Sequence, residues 1–117
     1  MTDHPHLDED HLDSLLEFLA TEKVRALFES AMRGAMPLVS QMRTAVTTGD
    51  ANELYRAGHN AKGMFGNLGL RRCEDLSRTL EGLGKAGQLA EAVGFIDSLQ
   101  QAIDETGVML NVWIDSK

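Results

Sequence analysis

Apolar side chains recur at three- and four-residue intervals along almost the whole chain, and almost nowhere do they alternate with polar ones. A helix brings residues three and four apart onto one face, whereas a strand does so for residues two apart. The pattern therefore admits packed helices and leaves no sheet to build a core around. Only two prolines, Pro5 and Pro37, interrupt the 117 residues, which are otherwise rich in the strong helix formers Leu, Ala and Met. That length supports one hydrophobic core and not two.

Four or five helices are expected. The first runs from about Asp8 to Ala20, with Leu12, Leu15, Leu16 and Leu19 at helical spacing. Ahead of it, residues 1–7 read as a flexible tail, and 8–117 as the folded bundle. The next begins near Thr21, a candidate N-cap, with Val24, Leu27, Phe28, Ala31 and Met32 on one stripe. Pro37 either kinks this helix or starts a new one. Asp50 with Glu53 resembles a capping box ahead of a helix from Ala51 to Asn67 or Leu68, closed by Gly69. Another spans Leu70 to about Leu83 and ends in the glycine-rich Gly84-Lys85-Ala86-Gly87. The last covers about Gln88 to Ile114, its apolar stripe formed by Leu89, Val93, Ile96, Leu99, Ile103, Met109, Leu110 and Trp113. Short connections between long amphipathic helices imply antiparallel neighbours. The expected fold is all-α, an up-down four-helix bundle with an additional N-terminal helix.

One helix has an unusual surface. Leu54, Ala57 or Gly58, Ala61, Phe65 and Leu68 form the core stripe of the segment from Ala51 onward. His59, two residues from Ala61 and so about 200° around the helix, faces solvent. The residues that share its face are Lys62, Gly63 and Gly66. Two glycines inside a helix together cost on the order of 2 kcal/mol, and a solvated face ordinarily carries Glu, Lys or Gln. Clearance for something that approaches the backbone around the imidazole accounts for them. Lys62 gains little beside a neutral imidazole, but would attract a phosphorylated one carrying nearly two negative charges.

Charge points the same way. The chain has 11 Lys and Arg against 18 Asp and Glu, a net of −7, which excludes general nucleic-acid binding. Between Leu54 and Cys73, however, there is no acidic residue, and Arg56, Lys62, Arg71 and Arg72 contribute +4. The rest of the chain then carries −11. A basic island around an exposed histidine suits an acidic partner or a phosphoryl group.

The segment His59-Asn60-Ala61-Lys62-Gly63-Met64-Phe65-Gly66-Asn67-Leu68-Gly69 resembles the signature of histidine-containing phosphotransfer (HPt) domains, H-x-x-K-G followed by small residues and N-L-G. Helix order extends the similarity over roughly Leu12 to Leu110, although only the eleven-residue motif is specific. The resemblance implies a phosphorelay carrier that takes a phosphoryl group from the aspartate of one receiver domain and passes it to another. His59 would be the phosphoacceptor through Nε2, and Lys62 would balance the phosphoryl charge. Gly63 would leave room for the receiver, and Gly66 and Gly69 would shape the helix surface and its end. Asn67 would hydrogen-bond at the helix end. Met64, bulkier than the family's small residues, and Arg56 would border the docking surface. Receiver domains and a (hybrid) histidine kinase would be the partners, and the Mg²⁺ used in transfer would belong to the receiver. No cofactor or metal site and no enzymatic activity of its own are expected. The alternative is a module of the same fold that docks receivers or kinases without transferring phosphoryl groups. A kinase dimerisation domain fits less well, because Asn60 replaces the Glu of an H-E-[ILV] box and no ATP-binding domain fits in the length.

Other features read as structural. His4, His6, Asp8 and His11 cluster near the N-terminus, but a proline-containing tail offers no fixed ligand geometry. Cys73 excludes an internal disulfide and fits a reducing compartment and a core position. Trp113, Met32, Met36, Met42 and Met109 read as core filling or helix-face contacts, and Arg71 and Arg72 as a solvated helix start. No run approaches the roughly 20 apolar residues of a membrane helix, and no signal-like segment opens the chain. A free-standing, monomeric, cytoplasmic protein is the expectation.

Overall fold

The computed structural model describes residues 6–117, so that His4 and most of the expected tail lie outside it. Five helices follow in order: α1 (Glu9–Phe18), α2 (Thr21–Thr48), α3 (Ala51–Asn67), α4 (Arg71–Ala86) and α5 (Leu89–Asp115). The described residues contain no strand. Helices α2 to α5 form a closed ring of neighbours, and α1 packs onto α2. Cross-contacts run in opposite senses along each pair. Arg25 meets Asp115 while Arg43 meets Asp97, which makes α2 and α5 antiparallel.

Local chemistry sets the helix ends. The Asp8 carboxylate accepts from His11 N–H to cap α1, and Asp50 accepts from Glu53 N–H to cap α3. Only half of the expected capping box forms, because Asp50 N–H donates instead to the Ala45 carbonyl. Helices α2, α3 and α4 each give way to a left-handed glycine, Gly49, Gly69 or Gly87, with φ of +75°, +71° and +74°. Thr21 is the first residue of α2 and not its cap, since Ala20 holds that place with no side-chain bond. Pro37 neither splits nor ends α2. It lies on the exposed face, where water can satisfy the carbonyl that loses its donor. Helix α4 continues through Gly84 to Ala86, so Gly84 lies within the helix and not in a turn.

The core is lined by Val39 and Met42 of α2, Leu54, Ala61 and Phe65 of α3, Leu80 of α4 and Ile96, Leu99 and Leu110 of α5. Phe65 is 1% exposed. Some expected stripe positions turn outward: Leu27, Val93 and Met109 are exposed, while Ala35, Ala92, Ala102 and Thr106 are buried. Close helix approach favours these small residues on the inner face, whereas hydrophobic periodicity weights the large ones. Cys73 is buried against Thr106, and desolvation pushes its thiol up to about 11. His6 and Leu7, expected within the tail, lie against the bundle: His6 pairs with Glu105, and Leu7 packs on the core.

Candidate functional site

Helices α3 and α4 approach so closely that their backbones touch. A Cβ added at Gly58 would lie 2.6 Å from Glu81 N, and one at Gly84 would lie 2.4 Å from Tyr55 N. Only glycine permits that approach. It brings Glu81 of α4 beside the residue that follows Gly58, which is His59.

The Glu81 carboxylate is shared. One oxygen is 2.7 Å from His59 Nδ1, and the other is 2.7 Å from Lys62 Nζ. Its side chain is only 14% exposed, while His59 is 59% exposed. The Lys62 ammonium, and after it the His59 ring, hold the Glu81 carboxyl below the usual carboxylate range. It is therefore ionised at neutral pH and can only accept. Nδ1 must carry the proton in this contact, which leaves the lone pair of the neutral ring on Nε2. Nε2 has no hydrogen-bond partner among the described residues. Tyr55, one turn earlier on α3, stacks on the imidazole with centroids 6.1 Å apart and planes inclined by 22°. Beside the ring, a Cβ at Gly63 would meet nothing within 4 Å. The result is an exposed imidazole whose unprotonated nitrogen has no partner among the described residues, with open space beside it at Gly63.

Several expected site residues occupy different surroundings. Lys62 is held by Glu81 on the Nδ1 side and does not stand free at the imidazole tip. The space at Gly66 is taken by the Glu74 carboxylate, 2.8 Å from where a Cβ would be, so this glycine serves the α3–α4 contact. Asn67 takes part through its backbone carbonyl, which accepts from His11 Nε2. The ring of that same His11 covers Gly69. Met64 is half-buried and packs against the core, facing Gly34 of α2. Arg56 is exposed, 3.9 Å from Glu53.

The basic island also changes in three dimensions. Arg71 is no solvated helix start: it bonds Asp8 and Glu74 and reaches the Gly66 carbonyl. Arg71 and Lys62 are thus neutralised by carboxylates from outside the acid-free window. His6 and His11 have separate partners, and among the described residues no three metal-ligating side chains converge. Among the described residues, no helix is long and apolar enough to cross a membrane.

Sequence reasoning missed Glu81, which looks like any acidic residue on the polar face of α4. Tyr55 was within reach: it is the only tyrosine in the chain and lies at the i−4 position where a helical side chain meets His59.

The four antiparallel helices thus carry an exposed histidine, bonded through Nδ1, near the middle of one of them. The sequence matches the Hpt domain family over residues 26–107, well over half the chain, and the protein belongs to that family. It is a phosphocarrier of phosphorelay signalling. Among solved structures, histidine-containing phosphotransfer protein B from Pseudomonas aeruginosa PAO1 is similar, with a TM-score of 0.87, 23% identity and coverage of 97% of each chain. That likeness concerns the fold. No curated protein matches by sequence.

Proposed function

We propose that His59 is the residue that carries the phosphoryl group, exchanged between Nε2 and the aspartates of receiver domains. The observation that carries this reading is the division of the imidazole, with Nδ1 bound by Glu81 and Nε2 left without a partner among the described residues on a ring that is 59% exposed. In acceptance, the Nε2 lone pair forms the N–P bond as the bond from phosphorus to the donor carboxylate oxygen breaks, and the aspartate leaves with that electron pair. Passing the group on reverses these steps at a second receiver.

This chain supplies position, exposure and tautomer. The receiver supplies its own Mg²⁺ and the groups that stabilise the phosphoryl in flight. Gly63 gives the receiver room to reach the ring, with the exposed Arg56 and Asn67 on the same helix, whereas Met64, Gly66 and Gly69 are taken up by contacts within the fold. Lys62 exchanges its bond with Glu81 for one with the phosphoryl oxygens once the ring is modified. The partners are receiver domains and a histidine kinase, and the carrier acts as a cytoplasmic monomer.

The test is incubation with a phosphorylated receiver, followed by detection of acid-labile, base-stable label. Wild type is expected to acquire label and His59→Gln to acquire none. Equal labelling of the two would sink the assignment.

A further inference from the structure

The imidazole changes charge during this transfer. Its Nδ1 is already protonated by virtue of the Glu81 contact, so attack through Nε2 leaves a ring with a proton on one nitrogen and phosphorus on the other. That ring carries a positive charge which the neutral imidazole lacked. A group that prefers the charged ring therefore lowers the barrier as well as the energy of the product.

Two side chains touch the ring. Glu81 holds its edge, and Tyr55 stacks beside it in an offset arrangement, 6.1 Å between centroids and 22° from parallel. The negative face of an aromatic ring attracts a cation placed over it. Tyr55 is well anchored for this, because its backbone forms the closest α3–α4 approach, against Gly84. Helical side chains lean toward the N-terminus, which brings the imidazole back toward the Tyr55 ring one turn earlier. The Tyr55 hydroxyl makes no hydrogen bond among the described residues, so the contact belongs to the ring face. Among the described residues the charged group bonded to His59 is Glu81 of α4, which also holds Lys62, one turn on from His59 on α3. Helix α2 places no titratable group in contact with it among the described residues.

We propose that Tyr55 is a positioning residue for phosphoryl transfer, which holds the His59 ring with Nε2 outward and stabilises it more as a phosphoimidazolium than as a neutral imidazole. The inference rests on His59 as the phosphoacceptor.

The full chain and phosphoramidate as donor test both readings separately. In this reaction the N–P bond of phosphoramidate breaks, ammonia leaves with the electron pair, and Nε2 takes the phosphoryl group. Wild type labelled at His59, with none on His59→Gln, establishes the acceptor; an unlabelled wild type overturns it and this proposal with it. Given labelling, Tyr55→Leu is expected to slow phosphorylation roughly two- to tenfold with the helical circular dichroism unchanged, and Tyr55→Phe to react at nearly the wild-type rate. Tyr55→Met replaces the leucine variant if that one fails to fold. A non-aromatic variant as fast as wild type, or Tyr55→Phe as slow as the non-aromatic one, overturns the role of the ring face.

Discussion

Replacing Glu81 by Gln keeps the shape of the side chain and removes its charge. The carboxylate serves two donors at once, His59 Nδ1 and Lys62 Nζ, each at 2.7 Å. The amide offers one acceptor oxygen and presents its own N–H₂ to the other donor, so one contact is lost and both lose their ionic character. A hydrogen bond to a charged group contributes about 1.5–3 kcal/mol when well shielded. Here Lys62 is 29% exposed and His59 is 59% exposed, so water screens part of the effect. A loss of about 1–2 kcal/mol is reasonable, read in urea denaturation or as a fall in Tm of roughly 4–8 °C. The same energy applied to the transfer barrier is a rate of phosphorylation by phosphoramidate about 5- to 30-fold lower. The acid dependence has a definite sign. Because the folded-state Glu81 carboxyl is depressed, its contribution is fully present above the unfolded value and is lost as pH falls through the folded one. The stability gap between wild type and Glu81→Gln, full at neutral pH, should therefore close in acid. An absent gap at pH 7, or one that persists unchanged below the carboxylate range, would refute the shared-carboxylate arrangement.

The α3–α4 contact makes its own predictions. Gly58→Ala and Gly84→Ala each force a Cβ to within 2.6 Å or less of backbone atoms, and should destabilise by about 2–3 kcal/mol in urea melts. Wild-type stability in either would show that the helices can separate without loss. Gly63→Ala meets no atom within 4 Å, so it should stabilise the free protein by up to about 1 kcal/mol through helix propensity. It should at the same time weaken binding to a receiver domain, measured by titration calorimetry. Unchanged affinity would remove the clearance argument. The Cys73 thiol, buried and pushed up to about 11, should resist a disulfide reagent at pH 8 in the native protein and react rapidly in denaturant.

The local sequence determined the helices and the outward direction of His59, because both follow from the 3.6-residue period acting within one segment. Asp50, Gly69 and Gly87 marked helix ends for the same reason, since a cap or a left-handed turn involves only near neighbours. The eleven residues from His59 to Gly69 were sufficient to indicate the family. What surrounds the histidine was decided between helices. Glu81 stands 22 residues from His59 and on another element, and nothing in its own neighbourhood sets it apart. Gly84 looked like part of a turn because a glycine carries no local sign of whether it bends a chain or admits a neighbour. Arg71, counted with the basic island, finds Asp8 from 63 residues away. Charge along the chain adds up within a window, but fields in the folded molecule add up in space. Thus the acid-free stretch around His59 became, on folding, a histidine and a lysine held by a single carboxylate.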